Sequence, residues 1–228
     1  MALSAKSSTP AGDARGETTR AALIRVGLDL FGAQGFEAAS TRAIAAAAKT
    51  NVASIAYHFG GKEGLRLACA DHVAATIRAA LGPAAGDAAD VARLTPEAAR
   101  ARLAQTIEAI IRFIVVSPAA QAIARFVLRE QFESSAAFER FYAGAFAPLH
   151  ERVCAIWAVA TGAAADSVET RLATLAMLGQ ILYFRLARRV ALRRMGWRDI
   201  GPAEAEEIRR VLIAHLDAAI AAARRARS

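Results

Sequence analysis

Apolar residues recur along this chain at steps of three and four, and alternation of β-branched with polar residues is almost absent. Helix is therefore the expected element throughout, and the expected fold class is all-α. Leu23, Val26, Leu30 and Phe31 share one face of a helix predicted over 18–34, with Gly35 placed to take a left-handed stop. Two short pieces follow, 41–48 capped by Ser40 and 52–58 capped by Asn51. A longer helix starts near Lys62 and runs to about Leu81, after which 82–94, GPAAGDAADVARL, reads as a flexible connector. Thr95-Pro96-Glu97 and Ser117-Pro118 each set a hydroxyl before a proline, the pattern of a cap followed by the first helical position. Ser134 or Ser135 opens a seventh helix that ends near 160–165. Asp166 to Glu169 has capping-box spacing, with aspartate in the Ser/Thr place, and starts an eighth. The last helix begins near Pro202 and frays in ARRARS, and no internal repeat is evident.

The eighth helix is the most regular. Val168, Leu172, Leu175, Gly179, Leu182, Leu186 and Val190 recur at helical spacing, and Ile208, Leu212, His215 and Ala219 do the same on the last helix. Two readings follow: a helix-pair interface between copies of the chain, or simple closure of the monomer core. Gly179 favours close approach across a dimer, because a mid-helix glycine otherwise costs about 1 kcal/mol. The candidate interface set is Leu172, Leu175, Gly179, Leu182, Leu186, Ile208, Leu212 and His215.

Composition narrows the function. At 228 residues and 55% hydrophobic, the chain can bury one large core or two small ones. Its apolar runs, 153–165 and 172–184, fall short of the roughly 18 to 20 residues a bilayer span needs, so no membrane partner is expected. The first 19 residues lack the apolar centre of a secretory signal, which implies a cytoplasmic protein with a disordered tail over 1–17. Cys69 and Cys154 show no metal or disulfide spacing and read as packed thiols, with no metal or cofactor expected. The histidines at 58, 72, 150 and 215 form no HExxH or carboxylate pattern, so an enzyme is not expected. A net charge of +8 and a pI near 10.4 favour anionic partners such as nucleic acid. Residues 1–64, however, hold seven Lys/Arg against five Asp/Glu, whereas 185–198 hold six arginines, a run that reads as a solvated helix face.

Two short helices joined by Lys49-Thr50-Asn51 and preceded by a longer one have the shape of a helix-turn-helix. An ordinary three-helix packing motif has the same outline. In the first reading the second short helix enters the major groove by its N-terminal end, where Val52, Ala53 and Ser54 meet base edges while Ile55 points inward as anchor. Tyr57 and His58 are placed to donate to phosphate oxygens. Lys62 and the amides opening the next helix form an anion-binding corner after Gly60-Gly61. Ser40, Arg42, Lys49 and Asn51 complete the candidate DNA-contacting set around the turn.

The stretch 19–65, with LF…GF in its first helix, STRAIA opening the second and YHFGGKEGL closing the unit, resembles the DNA-binding domain of the TetR family of bacterial transcriptional regulators. NVASIAYHFGGKEGL and the later QILYFRLARRVALRRMGW are similar to the branch with a CecR (CerR)-type C-terminal domain. The resemblance implies a homodimer in which residues 18–61 bind a double-stranded operator. Residues 62–228 would then hold an effector and pair through the last two long helices. Lys49 stands where the family usually has glycine, Thr50 where it has a β-branched apolar residue, and Ala56 where the branch often has asparagine. A lysine at positive φ would be strained by about 1–2 kcal/mol.

An effector cavity calls for apolar walls with a few polar groups, and a small, hydrophobic ligand. The candidate lining is Phe113, Phe126, Arg129, Phe141, Tyr142, Phe146, His150, Trp157, Gln180, Tyr183 and Phe184, although aromatics at helical spacing are core by default. Arg129 and Glu130 read better as a mutual ion pair or a solvated turn than as a clamp. The expected function is a repressor released from a palindromic operator by its effector. The alternative is a constitutive DNA-binding protein of the same fold that acts through protein partners.

Overall fold

The computed structural model describes residues 10–133 and 135–227, and among these there are twelve α-helices, two π turns and no strand. The order is α1 (Pro10–Gln34), α2 (Thr41–Ala47), α3 (Ala53–Phe59), α4 (Lys62–Ala85), α5 (Ala88–Val91), α6 (Pro96–Ile110), α7 (Ala119–Glu133), α8 (Ala136–Phe141), α9 (Ala147–Thr161), α10 (Val168–Leu186), α11 (Arg188–Met195) and α12 (Pro202–Arg225). The π turns, Ile111–Val116 and Tyr142–Phe146, continue α6 and α8. Among the described residues no single helix is long and apolar enough to cross a membrane.

Local chemistry accounts for most boundaries. Ser40, Thr95, Ser135 and Ser167 each accept the amide three residues on with the side-chain oxygen, at 3.0–3.2 Å. The cap of α10 is therefore Ser167 and not Asp166, because the serine takes the extended conformation that an N-cap needs. The expected connector over 82–94 is also more ordered than its composition suggests. Helix α4 continues to Ala85, and Asp87 with Asp90 closes a capping box that holds α5. The tail expected over 1–17 is helical from Pro10 onward, and residues 1–9 lie outside those described. The predicted eighth helix breaks at Ala187, so Val190 belongs to α11.

A proline follows each π turn within two residues. Pro118 and Pro148 lack the N–H that would bond to the carbonyl four residues back, Ile114 and Gly144 respectively. An arginine takes each carbonyl instead: Arg185 Nε donates to Ile114 O, and Arg78 Nη1 donates to Gly144 O. Arg185 also reaches Ser117 O at 2.8 Å, and Arg188 reaches Val115 O at 3.2 Å and Asp199. Two members of the basic run thus satisfy backbone carbonyls rather than standing on a solvated face. Burial, and then the neighbouring Arg188, lower the pKa of Arg185.

Two hydrophobic cores result. One gathers Leu23, Phe31, Ile44, Ile55, Leu65 and Val73 around α1 to α4, with Ile123 and Phe126 of α7. The other gathers Leu103, Ile107, Ile156, Trp157, Ile181 and Leu216 from α6, α9, α10 and α12. Helix α7 is bound to the first core at short range, since a Cβ on Gly32 of α1 would meet Phe126 N at 3.0 Å.

Candidate DNA-reading head and effector cavity

Helices α2 and α3 are joined by a turn in which Lys49 has φ 54°, in the left-handed region. The position where the family uses glycine therefore keeps its backbone geometry with lysine in place. Asn51 Oδ1 accepts from Ala53 N at 2.9 Å and opens α3. Ile55 is buried as the anchor, while Arg42, Lys49, Val52, Ala53, Ala56 and Tyr57 are exposed, Tyr57 to 85%. Ser54 departs from its expected place at the base edges. It is half-buried and its hydroxyl pairs with Thr50 Oγ1 at 3.0 Å. His58 is half-buried with its ring edge-on to Tyr57 at 4.9 Å. Lys62 lies 4.3 Å above the Phe36 ring and donates to Glu37 O at 3.2 Å, so its ammonium is folded back on the loop after α1.

The junction of α3 and α4 is rigid. Gly60 ends α3 at φ 74°, and a Cβ on Gly64 would come within 1.8 Å of Phe59 O, so only glycine fits where α4 starts. One turn on, Arg66 is buried against Glu130 of α7, its Nε within 2.9–3.0 Å of both carboxylate oxygens, and it also reaches Glu133. Ser135 donates to Glu130. The pairing expected between Arg129 and Glu130 does not form, because neighbours in sequence point to different sides of a helix. Arg129 instead lies over the end of α1, donating to Ala33 O at 3.5 Å.

Beyond this network, α4 supplies Ile77, Leu81 and Ala85 to the wall of a cavity of about 490 Å³. Phe113, Phe141, Tyr142, Phe146 and His150 line it as expected from the sequence. The other six candidates do not. Phe126 is packed in the first core, Trp157 and Phe184 belong to the second, and Arg129 faces α1. Gln180 accepts from His215 Nδ1 at 2.7 Å on the outer side, and Tyr183 is half exposed. Sequence reasoning missed Phe138, Thr174 and Met177, together with the aliphatic α6 wall of Leu103, Ile107 and Ile110. Phe138 was findable, since it precedes Tyr142, Phe146 and His150 at a constant step of four.

His150 Nε2 lies 2.9 Å from Thr174 Oγ1, which itself donates to Thr170 O, so the imidazole is the donor of the pair. Burial lowers the pKa of His150, against the opposing charge of Glu151 and a hydrogen bond with the Arg171 backbone, while the Arg171 charge adds a smaller lowering. The shift favours the neutral ring. Cys154, buried and unpaired with the other cysteine, sits 3.3 Å from Thr174 Oγ1.

Of the proposed interface, Leu172, Leu175, Gly179 and Leu186 are exposed on α10, while Leu182 is half-buried and lines the cavity with Leu175 and Gly179. Ile208 and Leu212 are corrected: at 3% and 6% exposure they face the monomer core. They share that face of α12 with Leu216 and Ile220, a more apolar stripe than the outward one of Val211, His215 and Ala218.

This fold and head define a DNA-binding transcriptional regulator of the helix-turn-helix class. Residues 23–69 match the model of bacterial regulatory proteins of the tetR family, and 99–223 match that of the C-terminal domain of the HTH-type transcriptional dual regulator CecR. The chain is 33% identical over 211 residues to that dual regulator from Shigella flexneri, covering 91% of this chain and 94% of the relative. It belongs to the TetR family, in its CecR type. A putative transcriptional regulator from Pseudomonas aeruginosa PAO1 shares the fold with TM-score 0.67 and 23% identity, over 92% of this chain and 93% of its own. AibR, solved in complex with isovaleryl coenzyme A and operator DNA, shares it with TM-score 0.62 and 16% identity, over 86% and 97%.

Proposed function

We propose that this regulator acts as a homodimer on a two-fold symmetric operator and represses until a small, largely apolar effector enters the cavity and releases it. Helix α4 is the observation that carries this reading: its first turn abuts α3 and its last turns form cavity wall. The two heads of a dimer must lie about 34–36 Å apart to enter successive major grooves. A ligand that spreads the cavity displaces α4 as a lever and spoils that spacing. Val52 and Ala53 meet base edges, Arg42, Lys49 and Tyr57 meet phosphates, and His58 and Lys62 support the backbone side of the head. Exposed Leu172, Leu175 and Leu186 supply the dimer seam together with Gly179, where an added Cβ would meet nothing in its own chain. The joint complex of AibR with a ligand and operator supports a shared use of this fold.

Genomic fragments selected by the protein and footprinted should return an inverted repeat with half-sites about one helical turn apart. A single unpaired half-site would remove the dimeric reading. In a thermal-shift screen a cavity ligand must raise apparent stability by RT ln(1 + [L]/Kd). A broad apolar screen without any such shift would favour the constitutive binder that works through protein partners.

A further inference from the structure

The cavity wall formed by α8, the second π turn and α9 carries four rings at a constant step: Phe138, Tyr142, Phe146 and His150. Successive planes are inclined by 29°, 27° and 9°, with centroids 6.0, 5.7 and 5.7 Å apart. In an unbroken α-helix each step of four would rotate the next ring by about 40°. The wider i→i+5 turn at Tyr142–Phe146 offsets that drift and keeps the rings in one strip. The facing walls are mostly aliphatic, as with Ile107 of α6 and Ile181 of α10, with Phe113 of the first π turn as the aromatic exception.

No lysine, arginine, aspartate or glutamate lines this cavity. A ligand charge would be left without a partner there. Of the polar side chains in the lining, Thr106 donates to Arg102 O and Gln131 stands exposed near the end of α7, which leaves the pair His150 and Thr174, where burial favours the neutral imidazole, as the hydrogen-bonding end beside the strip. A polarised ring strip on one side and aliphatic surface on the other suit a flat π system better than a flexible chain.

Resting on the effector reading above, we propose that the cavity takes an uncharged, flat polycyclic or alkyl-aromatic molecule, its rings along the strip from Phe138 to His150 and a single hydroxyl at the Thr174 end. Titration calorimetry of the full chain with four probes tests this: 1-pyrenemethanol, 1-pyrenecarboxylate, 1-pyrenemethylammonium and dodecan-1-ol. Pyrenemethanol should bind at least about 10-fold more tightly than either charged pyrene and than dodecanol. Phe146→Leu should weaken pyrenemethanol by about 2- to 10-fold, the worth of one aromatic contact, and leave dodecanol within about 2-fold. Should that variant fail to fold, Phe138→Leu reads the same difference. Equal affinity for a charged pyrene, equal affinity for dodecanol, or no binding by any probe would each overturn the proposal. Binding in the expected order with no loss of operator affinity would uphold the ligand class and count against effector release, so the two failures are separable.

Discussion

Lys49 holds a left-handed backbone, a conformation that costs an L-residue about 1–2 kcal/mol. Lys49→Gly should therefore raise the unfolding free energy by about 0.5–1 kcal/mol, after glycine's own entropic cost. Urea denaturation checks this, and an unchanged midpoint would mean the turn accommodates lysine without strain. Around it, phosphate and base contacts separate by their response to salt. Arg42→Ala should weaken binding about equally on all sequences and reduce the salt slope by about one, whereas Val52→Ser should alter base preference and leave the slope unchanged. Anisotropy titrations on operator and scrambled duplexes at several salt concentrations distinguish these outcomes. The buried pair is a different kind of residue-scale feature. Glu130→Ala removes the buried partner of Arg66 and leaves it the half-exposed Glu133, so it should cost about 3 kcal/mol at most, while the double change Arg66→Met with Glu130→Leu should recover most of that loss. A double variant as unstable as the single one would show that geometry, not charge, governs the site. Ser40, Asn51 and Thr95 were legible as caps because each acts on an amide two or three residues away. The Arg66–Glu130 pair, 64 positions apart, leaves no local pattern to read.

Among the elements, amphipathic spacing locates nearly every helix, and its failures have identifiable causes. Helix α12 has two usable faces, and periodicity alone cannot say which of them meets the core. The structure assigns Ile208 and Leu212 inward because Leu216 and Ile220 extend that stripe. On α10 the outward stripe remains, with Leu172 61% and Leu186 54% exposed. Neither residue lines the cavity. Changing both to arginine should leave the fold and cavity intact, yield monomers in sedimentation, and weaken operator binding by much more than the loss of one contact. A persistent dimer would place the seam elsewhere. The contacts around the π turns were not legible, because Arg78 and Arg185 arrive from distant helices to donate to Gly144 O and Ile114 O. The cavity lining was only half legible for a related reason: Phe126 and Phe146 look alike in sequence, and packing alone decides which of them is core.

For the whole molecule, the route from cavity to DNA is made of parts that bind both regions. Helix α4 carries Arg66 near the head and Ile77, Leu81 and Ala85 at the cavity, and Arg78 ties it to Gly144 between the cavity-lining Tyr142 and Phe146. A ligand pressing on that π turn therefore acts on α4 directly. Coupling of this kind is reciprocal, so the factor by which ligand weakens operator binding must equal the factor by which operator weakens ligand binding, typically 5- to 150-fold. Calorimetric titration of 1-pyrenemethanol into free protein and into the operator complex measures it most directly. The account predicts weaker binding to the complex by a factor in that range, reduced toward one in Arg78→Leu; equal affinity for free and operator-bound protein would contradict it.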